Sequence, residues 1–293
     1  LILAFFAFII KLIIVLIFLL LLIIFFQLKK RQLFEAYTKA EFCDSHYRYN
    51  DGSDEFYSEN GYLLKKRLIP ASITKQVAEE TDQIHERMLE NIPSGIGISW
   101  EEYDDPEKPK RIRQLMHSEL ISGELNQILR SNAVLDIIEA LMGPNISLYH
   151  SKLLPKSAYY GTITPWHQDY SYWKGEDNQP LMINCMFFID AATTENGCIR
   201  FVPGSHKKGL LNHNRGNHSF GLYLPGLFGK RDEAVLVEVE PGDCIFFGPL
   251  VIHGSDANKS PHHRRANTFA YNVTNNDPRQ CREVLRGMVL INE

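Results

Sequence analysis

Residues 241–255, with the sequence PGDCIFFGPLVIHGS, place a turn, an apolar run and a polar end next to one another. Pro241-Gly242-Asp243 predicts the turn, and the run from Cys244 to Ile252 predicts a buried strand. His253 closes this run and is followed by Gly254-Ser255. We therefore expect an imidazole at the end of a strand, at the open mouth of a barrel or jelly roll.

Five other segments are short, apolar or alternating, and bounded by Gly, Pro, Asn or Asp, as strands of an all-β core are. They are residues 146–154, 181–189, 198–202, 234–239 and 267–273. Upstream of them, residues 73–91 and 119–142 have helical spacing. The pattern predicts a mainly β protein with flanking helices, built as a β-sandwich or jelly roll, with a long insertion at residues 204–232.

The amino-acid composition excludes some classes of protein function. The chain has 293 residues, of which 44% are hydrophobic and 23% charged, enough for a packed core. The formal net charge of −4 gives no basic face, so we expect no nucleic-acid partner. The five cysteines include no C-x-x-C pair, which indicates reduced thiols rather than a disulfide framework.

The first 26 residues differ sharply from the rest. Leu1 to Phe26 is almost purely apolar, interrupted only by Lys11, and is long enough to cross a bilayer as a helix. A secretory signal would have a shorter apolar region and a cleavage site. We predict a single-pass membrane anchor at residues 1–26, a stalk at 27–44 and a catalytic domain at 45–293. The basic residues 29–31 favour a cytosolic location for that domain.

Three residues suggest a metal centre. His167 and Asp169 are two positions apart, so on a strand both side chains would point to the same face. With His253 they supply two imidazoles and one carboxylate, the facial triad that holds non-haem Fe(II) and leaves positions open for a co-substrate and O₂. Arg264 could bind the far carboxylate of a keto acid, with Arg265 as the alternative.

Aromatic residues surround the His-x-Asp pair. Trp166, Tyr170, Tyr172 and Trp173 could line the mouth of a substrate pocket or pack at the rim of the barrel. The sequence does not separate these two interpretations.

These motifs together resemble the phytanoyl-CoA dioxygenase family of Fe(II)/2-oxoglutarate oxygenases. The matching blocks are TPWHQD (164–169), ENGC (195–198), VPGSH (202–206), PGD (241–243), HGS (253–255) and the arginine pair at 264–265. The resemblance spans roughly residues 61–273 and implies a double-stranded β-helix core. It does not include the predicted membrane helix.

The resemblance also implies roles for individual residues. His167, Asp169 and His253 would bind Fe(II), while Arg264 and Ser255 would bind the distal carboxylate of 2-oxoglutarate. Three further positions, Arg113, Lys152 and Met186, would lie near the co-substrate. Met186 stands where relatives often have a tryptophan. Related halogenases replace the carboxylate with a small residue, so the presence of Asp169 favours hydroxylation.

The sequence thus predicts a membrane-anchored dioxygenase that uses Fe(II), 2-oxoglutarate and O₂, hydroxylates a small molecule and releases succinate and CO₂. The anchor and the aromatic residues favour a lipophilic substrate. Two alternatives stay open: a non-catalytic jelly-roll binding or scaffold protein, and a cupin-type metalloenzyme that does not use 2-oxoglutarate.

Overall fold

The computed structural model describes residues 52–175, 178–216, 221–226, 233–274, 276 and 283–287. The predicted anchor and stalk, and the boundaries assigned to them, lie outside these ranges. Within the described part of the chain, no helix combines the length and the apolar character that a bilayer crossing requires.

The described helices are short and lie mostly before the central strands. They are α1 (Ser53–Asn60), α2 (Ala71–Asp82), α3 (Ile84–Glu90), α4 (Gly123–Ile128), α5 (Asn132–Met142) and α6 (Tyr170–Trp173), with 3₁₀ turns at Ser118–Leu120 and Ser205–Lys208.

Each of the two long helices predicted from sequence is divided. Residues 73–91 lie in α2 and α3, and residues 119–142 contain a 3₁₀ turn and then α4 and α5. Ser122 and Ser131 are the N-caps of α4 and α5, and the Ser122 hydroxyl accepts a hydrogen bond from the Leu125 amide at 3.1 Å. In residues 119–142 periodicity alone predicted a continuous helix because serine caps start a new helix without interrupting the apolar spacing. The break between α2 and α3 lies at Gln83, which has no cap signal.

Fourteen strands are described, and every pairing between them is antiparallel. They are β1 (Tyr62–Lys65), β2 (Ile98–Trp100), β3 (Ile112–Met116), β4 (Ile146–Lys156), β5 (Thr164–His167), β6 (Met182–Phe188), β7 (Ile199–Phe201), β8 (Asn214–Arg215), β9 (Leu222–Tyr223), β10 (Val235–Val237), β11 (Cys244–Phe247), β12 (His253–Ser255), β13 (Arg264–Val273) and β14 (Glu283–Arg286).

Two of the described sheets form the core. The major sheet has the order β1-β11-β6-β13-β4-β3-β2, with β14 paired to β4, and the minor sheet has the order β10-β7-β12-β5. Strands β8 and β9 form a separate hairpin. This two-sheet arrangement, with helices before it, agrees with the predicted mainly β, jelly-roll class.

Apolar side chains from both sheets meet in one cluster. Phe188 and Ile245 come from the major sheet and Phe201 from the minor sheet, and all three are fully buried. Tyr62 stacks on Phe201 with ring centroids 4.5 Å apart. This packing fixes the two sheets relative to each other beside the space in which the predicted site residues lie.

The strand predicted at residues 244–252 ends early. β11 stops at Phe247, residues 248–252 turn, and β12 begins at His253 in the other sheet. Gly248-Pro249 follows the end of β11, and Pro249 has no amide hydrogen with which to continue a ladder. His253 therefore opens a strand of the minor sheet instead of closing a strand of the major one.

Gly254 allows β5 and β12 to approach closely. A Cβ at this position would lie 2.8 Å from the Thr164 carbonyl oxygen on β5. Gly254→Ala should therefore force the two strands apart and lower the free energy of unfolding by about 1–3 kcal/mol, as overpacking does. Chemical denaturation would measure this.

The matched control is Gly123→Ala at the start of α4, where a Cβ would meet nothing within 4 Å. It should leave stability unchanged or raise it slightly. Equal stability of the two variants would contradict the close approach of β5 and β12.

Candidate metal centre and co-substrate cavity

The two histidines of the site face each other across one strand pair. His167 on β5 is the register partner of His253 on β12, and the centroids of their rings are 4.1 Å apart. The Nε2 atoms of His167 and His253 lie 3.5 Å and 3.7 Å from the two carboxylate oxygens of Asp169. One ligand atom from each of the three residues falls within 4.8 Å of the others, so the trio could hold a metal ion.

Asp169 reaches this position in a way that sequence periodicity did not anticipate. β5 ends at His167, and Asp169 has helical dihedral angles, φ −58° and ψ −33°, as the N-cap residue of α6. The interpretation that both residues share one face of a strand was therefore wrong. A helical turn directly after the strand brings the carboxylate back toward the imidazole.

Both imidazoles are held in the tautomer that suits a metal ligand. His167 Nδ1 donates to the Pro165 carbonyl at 2.9 Å, and His253 Nδ1 donates to the Val251 carbonyl at 3.0 Å. Since a carbonyl can only accept, each Nδ1 carries the proton and each Nε2 keeps its lone pair. Backbone carbonyls orient metal-binding histidines in this way in many proteins.

Electrostatics also favours a cation at this position. Burial alone would raise the pKa of the Asp169 carboxyl, but the nearby His253, His167 and Lys152 hold it well below its usual range. Burial and the neighbouring His167 lower the pKa of His253 to about 4. A carboxylate beside a neutral imidazole is the protonation state that metal binding requires, so the donor set fits a divalent ion.

Asn184 on β6 supports the carboxylate from the opposite sheet. Its Nδ2 donates to Asp169 Oδ2 at 2.8 Å, and the residue is fully buried. This hydrogen bond connects the major sheet to a ligand on the turn that follows β5 of the minor sheet.

The triad lies in a cavity of about 400 Å³ between the two sheets. Among the predicted site residues, the lining includes the whole triad together with Arg113, Lys152, Met186, Ser255 and Arg264. The structure thus brings every predicted metal and co-substrate residue into one space.

The two neighbouring arginines are separated by strand alternation. Arg264 is 4% exposed and lines the cavity, and its Nε has no hydrogen-bond partner among the described residues. Burial lowers the pKa of Arg264 to about 10. Arg265 points away and pairs with Asp190 at 2.8 Å and also with Asp82. Of the two, only Arg264 is placed to receive an anion in the cavity.

Arg113 and Lys152 line the same cavity but differ in their contacts. Arg113 is paired with Glu101 at 2.9 Å and donates to the Ile163 carbonyl. The ammonium of Lys152 lies 5.6 Å from the centroid of the Trp173 ring. Burial lowers the pKa of Lys152, and the charge of Asp169 opposes that shift.

The aromatic residues near the triad divide into two groups. Tyr172 and Trp173 line the cavity. Trp166 does not: it packs with Leu224 and Ile252 and lies under the Arg200 guanidinium at 4.5 Å. Its expected place at the mouth was wrong because it precedes His167 on the same strand and so faces the other side.

Tyr170, which could have lined the mouth of the substrate pocket, also lies elsewhere. It is buried against Trp173 and Met182, and its hydroxyl donates to the Asn178 carbonyl at 2.8 Å. It stands outside the cavity lining and takes part in packing behind the site.

Sequence reasoning did not find Asn184 or Lys156, both of which line the cavity. Asn184 had a detectable signal, since it is a lone amide within the apolar run MINCMFF at 182–188. Lys156 ends β4, where a lysine usually indicates a solvated strand end. Only the pairing of β4 with β13 shows that this lysine is inside.

The fold is shared with known oxygenases. The crystal structure of EctD from S. alaskensis with 2-oxoglutarate and 5-hydroxyectoine superposes with a TM-score of 0.63, at 19% identity over 76% of each chain. This likeness shows the fold, and the two imidazoles and one carboxylate in the cavity are the donor set of a non-haem iron oxygenase.

The particular family follows from sequence comparison. The model of the phytanoyl-CoA dioxygenase (PhyH) family matches residues 57–266, and the chain belongs to that family. A probable phytanoyl-CoA dioxygenase of Caenorhabditis elegans is 30% identical over 74% of this chain and 73% of its own length. The human peroxisomal phytanoyl-CoA dioxygenase is 28% identical over 72% of this chain, which spans 65% of the human protein.

We predict that Asn184→Ala weakens Fe(II) binding by about 10–100-fold, as loss of an outer hydrogen bond to a metal ligand does. Calorimetric titration under anaerobic conditions would measure the dissociation constant. Asn267→Ala is the control, because Asn267 is also a buried amide of the major sheet but bonds to Ser118. The control should lose stability and keep its metal affinity. Equal metal affinity in both variants would mean that Asn184 does not support the ligand.

Proposed function

We propose that this protein is an Fe(II)- and 2-oxoglutarate-dependent dioxygenase that hydroxylates a small molecule and releases succinate and CO₂. One observation carries the proposal: a single cavity holds the His167–Asp169–His253 cluster and the buried, unpaired Arg264 guanidinium nitrogen. A keto acid that binds a metal through one end and a guanidinium through the other needs this combination.

Different residues of the cavity would bind the metal ion and the co-substrate. When bound, Fe(II) with 2-oxoglutarate and O₂ supplies the oxidising chemistry. His167, Asp169 and His253 would hold the ion, and three ligands leave open positions for co-substrate and O₂. Arg264 and Ser255 would fix the distal carboxylate, while Met186 and Phe247 form an apolar part of the cavity wall.

The outcome of the reaction depends on Asp169. A carboxylate at this position completes the triad and occupies the place that a halide ligand would need. We therefore propose hydroxylation rather than halogenation.

The volume and the lining of the cavity indicate what kind of substrate it could hold. Its volume of about 400 Å³ is near the lower end of the range of about 300–1,000 Å³ found for ligand pockets. Tyr149, Met116 and Trp173 give one part of the lining an apolar character. These features support a small, lipophilic substrate that enters beside the aromatic rings.

The test compares two adjacent arginines. Arg264→Ala should raise the dissociation constant of 2-oxoglutarate at least about 30-fold, since truncating one partner of a buried charge pair costs about 2–5 kcal/mol. Arg265→Ala, which removes a guanidinium outside the cavity, should reduce stability and retain 2-oxoglutarate binding. Affinity would be read from the visible charge-transfer band of the anaerobic Fe(II)–2-oxoglutarate complex, with His167→Ala as the variant that should lose the band.

Fe(II)-dependent formation of succinate from 2-oxoglutarate would then establish turnover. Iron-loaded, folded protein that shows no band and no succinate would favour the scaffold alternative. Metal-dependent activity that survives Arg264→Ala would favour a cupin-type enzyme without 2-oxoglutarate.

We further propose that residues 1–26 anchor the protein in a membrane as a single helix, with the catalytic domain in the cytosol. The support is the sequence: an apolar run of bilayer length followed by Lys29, Lys30 and Arg31. Such an anchor would keep the cavity near substrates that dissolve in the membrane.

Removal of residues 1–26 should release the protein from membranes, because the remaining chain lacks the predicted apolar span. Carbonate extraction of cell membranes would show the full chain in the pellet and the shortened chain in the supernatant. Protease added to sealed vesicles of known orientation would test the cytosolic location. Extraction of the full chain by carbonate would contradict the anchor.

A further inference from the structure

Gln168 stands between the two metal ligands His167 and Asp169 and is fully buried. It does not line the cavity, so it cannot contact a metal ion or a small molecule there. A buried side-chain amide costs stability unless its hydrogen bonds are made, so its partners indicate why a polar residue stands at this position.

The side-chain amide of Gln168 is fully hydrogen-bonded, and its partners are distant in sequence. Its Oε1 accepts from the Leu211 N–H at 2.8 Å, and its Nε2 donates to the Gly209 carbonyl at 2.8 Å and to the Leu250 carbonyl at 2.6 Å. Because a carbonyl only accepts and a backbone N–H only donates, these partners fix which amide atom is the oxygen. Gln168 thus connects the turn after β5 to the insertion at residues 204–232 and to the turn before β12.

His213 makes a second connection between the insertion and this turn. Its Nε2 accepts from the Gln168 N–H at 3.0 Å, and its Nδ1 donates to the Leu211 carbonyl at 2.8 Å. Since the carbonyl can only accept, Nδ1 carries the proton and Nε2 keeps the lone pair that the Gln168 amide needs. The insertion is therefore hydrogen-bonded to both the side chain and the main chain of the residue between two ligands.

A later part of the insertion, at residues 221–226, is attached to the same stretch of chain. The Leu224 amide donates to the Trp166 carbonyl at 2.8 Å, and the Leu222 amide donates to the Tyr172 hydroxyl at 2.7 Å. Leu224 also packs against Trp166 in an apolar cluster and is 2% exposed. Both described parts of the insertion thus bond to the short stretch of chain that carries two of the three ligands.

We propose that Gln168 and His213 are positioning residues for the metal centre: they bond the turn that presents Asp169 to the insertion and so hold it in its metal-binding form. Because linkage is reciprocal, metal binding must in turn favour the bonded position of the insertion. A substrate that contacts the insertion in this position would therefore raise the affinity for the metal ion. The inference rests on the metal centre of the proposed function and is independent of 2-oxoglutarate.

The first measurement is the dissociation constant of Fe(II), from anaerobic calorimetry with the full chain. Gln168→Met removes three hydrogen bonds with an unbranched side chain of similar length, and should weaken Fe(II) binding about 10–100-fold, as loss of outer partners of metal ligands does. His213→Phe keeps a ring and removes the acceptor for one N–H, so we expect about 10-fold, the lower end of that range. His213→Gln should rescue the affinity, because its carbonyl oxygen can accept the same N–H.

His206→Phe is the matched control, because His206 belongs to the same insertion but its Nε2 donates to the Ser58 carbonyl of α1 at 3.1 Å. This variant should lose stability at most and keep its Fe(II) affinity. Thermal unfolding of the metal-free variants would show that each is folded. Should Gln168→Met fail to fold, His213→Phe and its rescue by His213→Gln provide the comparison.

Amide hydrogen exchange gives a readout that a merely structural role would not change. The amides of Leu211, Leu222 and Leu224 take part in the bonds between the insertion and the ligand-bearing chain. Fe(II) should slow their exchange in wild-type protein, since metal binding favours the bonded position, and should slow it less in His213→Phe. In His206→Phe the effect of Fe(II) should equal that in wild-type protein.

The outcomes separate this inference from the proposed function. Unchanged Fe(II) affinity in folded His213→Phe and Gln168→Met, equal weakening in His206→Phe, or exchange at the three leucine amides that Fe(II) does not alter would overturn the positioning role and leave the dioxygenase assignment intact. Wild-type protein that binds Fe(II) but not 2-oxoglutarate would overturn the proposed function alone. Wild-type protein that binds no Fe(II) would overturn both.

Discussion

The site depends on the antiparallel pairing of β5 with β12. This pairing places His167 opposite His253, so that the centroids of the two imidazole rings are 4.1 Å apart. Strands rather than loops bring the two rings together. Gly254 permits the approach because a side chain there would meet the backbone of β5. The two histidine ligands are therefore positioned by the main-chain pairing of β5 with β12.

The two sheets contribute different residues to the site, and two hydrogen bonds connect residues of one sheet to residues of the other. The minor sheet and the turn after it carry the triad and Ser255, whereas the major sheet carries Lys152, Lys156, Met186 and Arg264. Asn184 reaches across to Asp169, and Lys156 reaches across to Ser255. A shift of one sheet relative to the other would disturb both ends of the cavity at once. The apolar cluster around Phe201 and Phe188 opposes such a shift.

The sequence predicted the class of fold and the chemistry of the site better than their local geometry. His167, Asp169, His253 and Arg264 were found because strand ends, turn residues and residue chemistry are local signals. The helical turn that presents Asp169 was missed, since a strand and a turn can place neighbouring side chains on similar faces. Trp166 was misplaced for a related reason: it adjoins His167 in sequence, but alternation turns it to the opposite side of the sheet.

The buried position of Lys156 could not be predicted from the sequence alone. At the end of an apolar run, a lysine ordinarily indicates solvent, and nothing in residues 146–156 shows which strand lies alongside. The pairing with β13 brings it next to Arg264, and Gly161 and Gly197 enclose its stem. Its buried position thus arises from contacts with parts of the chain that are far away in sequence, β13 and the loop that contains Gly197.

The same contacts explain why this end of the cavity can be selective. Arg264 and Lys156 are both buried, and the charge of Glu101 acts on both of them without forming a salt bridge with either. Burial of these two basic groups costs stability, and a bound anion would offset part of that cost. Binding of an anion to the folded state alone must in turn stabilise the fold, by linkage. On the proposed function, anion affinity and the cost of the empty cavity are consequently two results of one arrangement of charge.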